Sequence, residues 1–380
     1  MPWSDWIRTV EVEPIGVRPA WALTHAIHAA LAVVANVVSV YVPVLAVLIL
    51  LLVTVSMYGD LTARFYLVRR LMPRRSSQNV TSRGSRPDAP ARVVVTAHHD
   101  SARSGMMFNR RRRPPPRPLR RLRNLAGPLD LVFWVAIASL LMAAGRLVGG
   151  FEQGEATWLT IAQFAATAIL LVAVAMLVDV ALSDPVPGAN DNASGVAAAL
   201  DLGRRLGSER LTNVDLWLVF PGAEEGLMLG MREWMREHAS EIDPRRTFFL
   251  NIDSVGAGRV RFVSGEGFVV IYQHDARLVE LGRSIAASSE SADPDPYVWR
   301  VGTDGTIPTM RGFSGITICC TDEYGRVPHY HRQSDTADHV EPEAVAAAVD
   351  FAQALVEGID QRVVPAALPS LAPSASEALP

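Results

Sequence analysis

Lysine is missing from the 380 residues, so all 36 Lys/Arg positions are arginine. Cysteine is nearly missing too: there are two, the adjacent Cys319 and Cys320. Two neighbouring cysteines make no disulfide framework and no metal-knuckle spacing, which fits a reducing compartment. A net charge of −3 excludes a molecule whose whole surface attracts polyanions. The most telling absence is local. From Ala20 to Tyr58 there is no Asp, Glu, Lys or Arg. A membrane span takes about 20 apolar residues, so this run holds two, with a tight turn near Tyr41-Val42-Pro43. A secretory leader would be shorter and would follow a basic N-terminus. His25 and His28 fall in the first span and read as satisfied or interfacial histidines.

A second apolar block runs from about Leu129 to Leu182, broken between Arg146 and Glu155. Asp130 and Asp179 lie near its outer ends, where a charge is tolerated. It reads as a second transmembrane hairpin. Between the hairpins lie many arginines, among them Arg69, Arg70, Arg74, Arg75, Arg110 to Arg113, Arg117, Arg120, Arg121 and Arg123. The turns near Tyr41 and Phe151 carry almost none. Positive residues stay on the cytoplasmic side, so both hairpins are expected to leave and re-enter the cytoplasm. The expectation is an integral plasma-membrane protein with its soluble domain on the cytoplasmic side. The run Arg110–Arg123, with Pro114-Pro115-Pro116, reads as an extended linker against anionic headgroups. Nucleic acid is not expected as a partner, because no aromatic stacking residues are interleaved.

The remainder alternates short β-branched runs with helical stretches, which means a mixed, mostly parallel α/β sheet flanked by helices. Strands are expected at 91–97, 213–220, 246–252, 259–263, 297–301 and 316–320. The expected division is an N-terminal segment 1–19, a hairpin 20–60 and a basic linker 61–90. A soluble domain then comprises 91–103 and 183–362, interrupted by 104–182, and a Pro/Ala/Ser-rich tail 363–380 is expected to be disordered.

Chemistry-bearing residues stand directly after the expected strands: His98 and Asp100, then Glu224 and Glu225, then Asp253. Ligands of open α/β sheets bind beyond the carboxyl ends of strands, so these clusters converge on one edge with the loop Pro187–Gly195 that carries Asp191. A fourth cluster, Pro328-His329-Tyr330-His331, precedes the last helix. Histidine and carboxylate ligands suit zinc. Two imidazoles and three carboxylates suffice for two ions sharing one bridge.

The order His-x-Asp, Gly-Ala-x-Asp-Asn-x-Ser-Gly, Glu-Glu-Gly, Asp-Ser and Tyr-His-x-x-x-Asp resembles the M28 family of dizinc exopeptidases, aminopeptidases above all. The resemblance covers residues 91–103 and 183–360. It implies two Zn2+ per chain: His98 and Asp253 on one, Glu225 and His331 on the other, Asp191 bridging both. It further implies Asp100 holding the His98 imidazole, Glu224 as general base and Tyr330 steadying an oxyanion. Asp335 matches the closing aspartate and would orient the ligand loop; His329 is the alternative to His331. The Gly302-Thr303-Asp304-Gly305 stretch departs from the family pattern, which touches the substrate pocket rather than the metals. The implied function is a membrane-anchored metallo-exopeptidase acting on peptides. Alternatives on the same fold are a carboxypeptidase, a glutaminyl-cyclase-type enzyme or a non-catalytic scaffold.

Overall fold

The computed structural model describes residues 7–109, 127–149 and 157–371. The arginine-rich run after Asn109, the centre of the 146–155 connection and the chain beyond 371 lie outside the described residues.

The chain opens with strand β1 (Ile7–Val17), followed by helices α1 (Trp21–Val38) and α2 (Pro43–Leu61). Strands β2 (Arg75–Gly84) and β3 (Ala91–Thr96) come next. The second helical pair is α3 (Pro128–Gly149) and α4 (Thr157–Leu182). Then α5 (Gly195–Arg210), β4 (Val214–Phe220), α6 (Leu229–Glu237), β5 (Thr247–Ile252), β6 (Arg259–Glu266) and β7 (Tyr272–Gln273) follow. Helix α7 (Ala276–Ala286), β8 (Tyr297–Trp299), β9 (Ser314–Thr321) and α8 (Pro342–Gly358) complete the domain.

All nine strands join one sheet in the order β1-β2-β4-β3-β5-β9-β6-β7, with β8 beside β6. The central strands β4, β3, β5 and β9 are mutually parallel, and the antiparallel pairs lie toward the edges. The fold is mixed α/β. Because side chains alternate across a strand, Val93 and Val95 of β3 join a core under α5, α7 and α8. Val94 points to the other face, with Trp217, Phe249, Trp234 and residues of the four apolar helices. One core therefore runs from the sheet into the helix bundle.

Strands β1 and β2 correct the sequence reading, which placed an N-terminal segment and a basic linker there. β2 carries a single large aliphatic residue, Val80, so hydrophobic alternation gave no signal. Its stability comes instead from a ladder running from Val17 opposite Arg75 to Ile7 opposite Gly84. Pro14 is accommodated because β1 is an edge strand, where a missing N–H costs no ladder bond. Helix α6 begins only at Leu229, because Leu227 and Met228 are left-handed, with φ of 69° and 57°.

Among the described residues, α1 to α4 are each long and apolar enough to cross a membrane, by length and composition. Helix α1 packs against α2 and α4, and α3 packs against the same two. Several polar side chains inside the bundle pair with one another. Asn36 donates to Ser139 and Thr167, each at 3.1 Å. Arg146 Nε donates to Gln163 Oε1 at 2.7 Å, and Gln163 donates to Ser39 at 2.7 Å. His28 pairs with Ser56 at 2.8 Å, and His25 lies 3.8 Å from Asp60.

Candidate metal centre

The parallel strands deliver their C-terminal ends to one edge. His98 follows β3, the Glu224-Glu225 turn follows β4, Asp253 follows β5, and the 329–331 turn follows β9. The Asp191 loop enters from the start of α5. Asn192 fixes that start: its Oδ1 accepts from the Gly195 amide at 3.0 Å and its Nδ2 donates to the Ile252 carbonyl at 2.9 Å. A Cβ at Gly195 would collide with Asn192 Oδ1 and the Ile252 carbonyl, so glycine is required. Ser194, the residue just before α5, donates its hydroxyl to the Asn190 carbonyl at 2.6 Å.

Five of the expected residues meet. His98 Nε2 lies 3.3 Å from Asp191 Oδ1 and 3.9 Å from Asp253 Oδ2. His331 Nε2 lies 3.4 Å from Asp191 Oδ2 and 3.3 Å from Glu225 Oε2. Each oxygen of Asp191 thus faces a different imidazole, and each imidazole has a second carboxylate beside it. Ligand atoms of His98, Asp191 and Glu225 also lie within 4.8 Å of one another, a group that could hold a metal ion. His98, Asp191 and Asp253 are buried, at 2, 2 and 5% exposure.

Among the described residues, the two imidazoles are the only cationic partners within 4 Å of Asp191, Glu225 and Asp253. Burying that much negative charge is costly without compensation. Burial lifts Asp253 to about 6, opposed by His98. Burial also raises Glu224 well above the usual carboxyl range, against the pull of His98 and with repulsion from Glu225. For Asp191 burial works in the same direction, but the two imidazoles outweigh it and hold its carboxyl low. Burial pulls His331 down, yet Glu225 and Asp191 lift it to about 10. Asp191 Oδ2 and His331 Nδ1 are buried with no hydrogen-bond partner among the described residues. An excess of buried carboxylates and an orphaned oxygen suit a divalent cation.

Three further residues hold the site. Asp335 accepts from the amides of Asn190 at 2.7 Å and Asp191 at 3.1 Å. Asp100 differs from the expectation. His98 Nδ1 meets the Asp100 backbone carbonyl at 3.1 Å, while the carboxylate is 3.6 Å away, too long for a hydrogen bond. That carboxylate accepts instead from the amides of Glu224 at 3.0 Å and Glu225 at 3.2 Å. On the other side of the same turn, Arg69 Nη1 donates to the Gly226 carbonyl at 2.5 Å. The sequence marked Arg69 only as one of the arginines between the hairpins.

Tyr330 stacks on His331 at 3.8 Å between ring centroids, and burial keeps its hydroxyl neutral by raising its pKa. His329 turns away, bonding Ser334 at 2.8 Å and packing on His339. His99 bonds the Gln78 carbonyl at 3.1 Å. Cys319 and Cys320 are buried in β9. Asp304, also unforeseen as a site residue, is fully buried with both oxygens unpartnered, and burial pushes its pKa up. The cluster borders a cavity of about 670 Å³.

Residues 173–356 match the model of Peptidase family M28. The match contains Asp191, Glu224, Glu225, Asp253 and His331; His98 and Asp100 lie upstream and are brought in by the fold. The probable lipoprotein aminopeptidase LpqL of Mycobacterium tuberculosis is 26% identical over 187 residues, covering 42% of this chain and 37% of that protein. The chain thus spans well under half the length of that relative. Among solved structures, BSAP, a zinc aminopeptidase from Bacillus subtilis, aligns at 20% identity and a TM-score of 0.44, covering 74% of this chain and 50% of that one. A glutaminyl cyclase from Porphyromonas gingivalis aligns at 16% identity and a TM-score of 0.47, covering 75% and 79%. Just under half of the chain, residues 173–356, is thus similar to peptidase family M28.

Proposed function

We propose that the chain is a membrane-anchored, zinc-dependent metallo-exopeptidase, an aminopeptidase with two Zn2+ per chain. The observation that carries this reading is the division of Asp191 between two imidazoles. His98 and Asp253 would hold one ion, Glu225 and His331 the other, and Asp191 both. The donor set of nitrogen and carboxylate oxygen suits zinc. When bound, zinc supplies Lewis acidity, polarising a carbonyl and making a water reactive near neutral pH.

The chain's own residues supply the rest. Glu224 takes the proton of the attacking water and returns it to the leaving amine. Its burial favours proton uptake, and Asp100 holds its backbone through the Glu224 and Glu225 amides. Tyr330, kept neutral by burial, is a hydrogen-bond donor at the rim of the cavity. Two adjacent glutamates in a tight turn divide the work: Glu225 faces His331, and Glu224 is left free as a base.

The membrane part rests on the four apolar helices. The cytoplasmic placement rests on the arginines between the hairpins.

The test is release of amines from a panel of aminoacyl chromogenic amides, with and without chelator. Release that the chelator stops, and that Glu224→Gln abolishes while bound zinc stays near wild type, is expected. Zinc loss in Glu224→Gln would mean base and ligand are exchanged. No chelator-sensitive release across the panel would favour a scaffold without catalysis.

A further inference from the structure

The cavity beside the metal cluster is built from two kinds of wall. One carries Asp191, Glu224, Glu225, Asp253 and His331. The opposite wall includes the first residues of two of the apolar helices: Trp21 of α1, and Pro128 and Leu129 of α3, with Gly127 just before. The same helices expose apolar side chains just beyond: Leu23 is 40% exposed, Leu131 50% and Trp134 52%. Phe268, Leu227 and Trp299 continue the apolar lining toward the carboxylates. The apolar side chains of α1 and α3 that would face lipid thus begin within about two helical turns of the cavity floor.

Helices α2 and α4 close the geometry. Both hairpins start and finish at the domain, since the Met106 amide bonds Asp179 near the end of α4 at 2.6 Å. Asp60, at the end of α2, is tied to Arg69 beneath the Glu224-Glu225 turn. Both hairpins thus end against segments that border the cluster: Met106 precedes the cavity-lining Met107 and Phe108, and Arg69 bonds Gly226 next to Glu225. A cavity of about 670 Å³ falls in the usual size range for bound organic ligands, ~300–1,000 Å³, and has room for a few residues of peptide. Any peptide with apolar N-terminal residues gains from burial against this wall; one whose body stays in lipid also reaches it directly from the apolar surface of α1 and α3.

We propose that the substrate is an apolar peptide held by the bilayer, whose free N-terminus rises between the first turns of α1 and α3 to the metal cluster. This deepens the exopeptidase reading and rests on it. Trp21 and Leu129 are then specificity-determining residues, because they contact the apolar part of such a peptide before it reaches the carboxylates.

The test uses the purified full chain, zinc-loaded, in phosphatidylcholine/phosphatidylglycerol vesicles. Two substrates share one N-terminal Leu-Ala-Val sequence; one is soluble and one carries a C-terminal hexadecyl amide. The readout is the ratio of their kcat/KM values, for wild type, Trp21→Ala, Leu129→Ser and the conservative Trp21→Phe. The proposal predicts a ratio above tenfold in wild type, falling at least threefold in Trp21→Ala and Leu129→Ser and retained in Trp21→Phe. A high ratio that no variant changes reflects surface concentration alone and overturns the proposal. A ratio near one with the soluble peptide still cleaved overturns it while leaving the exopeptidase intact. So does loss of soluble-peptide cleavage on adding lipid, which would make an acyl chain the occupant. Cleavage of neither peptide, in vesicles or detergent, removes the exopeptidase reading itself.

Discussion

Arg69 Nη1 and the carbonyl of Gly226 are joined by a 2.5 Å hydrogen bond across 157 positions of sequence. The same guanidinium pairs with both oxygens of Asp60 through Nε at 2.9 Å and Nη2 at 2.5 Å, and both side chains are 1% exposed. The turn it grips contains three left-handed non-glycine residues, Ala223, Leu227 and Met228. Each costs about 1–3 kcal/mol and persists only when its surroundings hold it. Asp100 holds one side of this turn and Arg69 the other, so the end of the first hairpin positions the two glutamates.

Removing Arg69 alone would strand a buried Asp60, a loss of about 3–5 kcal/mol that can unfold the chain. The double variant Asp60→Asn/Arg69→Met removes both charges. It is expected to fold and to bind zinc near the wild-type level. Its kcat should fall about tenfold or more with KM within threefold, and Arg69→Lys should recover part of the loss. Steady-state kinetics and metal analysis check this; an unchanged kcat in the double variant would reduce Arg69 to a packing residue.

Glu266 lies at the far side of the sheet end, fully buried, accepting from Thr303 Oγ1 at 2.8 Å and within 3.6 Å of His274. Burial raises its pKa to about 8, with Asp253 adding repulsion and Thr303 opposing. A carboxyl raised in the folded state favours folding while protonated. That contribution is complete below the unfolded value, about 4.3, and is lost as pH rises toward 8. Glu266→Gln keeps the shape without the titration. Its melting temperature should exceed wild type by about 3 °C or more at pH 8.5 and match it near pH 4.5. Thermal unfolding at the two pH values decides, and a variant less stable at pH 8.5 would contradict the assignment.

The proposed orientation rests on charge. The chain between the hairpins holds a long arginine series, and the hairpin turns hold almost none. A reporter at the C-terminus should read as cytoplasmic. A reporter active only outside the cell would reverse the topology and put the cavity on the opposite leaflet.

The residues of the candidate metal cluster were more legible in the sequence than their setting. His98, Glu224 and Asp253 each stand just past an expected strand, so their convergence follows from a parallel sheet. Asp191 and His331 sit in loops whose turn residues marked them out. The contacts of Arg69, Trp21 and Leu129 had no such signal. They depend on where the apolar helices meet the sheet, which no local periodicity encodes. Strand β2 was hidden because its partners are backbone groups rather than apolar side chains. The resemblance placed Asp100 beside His98, but it did not tell that the backbone carbonyl rather than the carboxylate makes the contact.

The central claim is that one carboxylate, Asp191, serves two ions. Its most direct test is the zinc content of the purified full chain, counted per polypeptide, for wild type and Asp191→Asn. The account predicts two zinc ions per wild-type chain and fewer than one in Asp191→Asn. A single ion per wild-type chain, retained in Asp191→Asn, would contradict it.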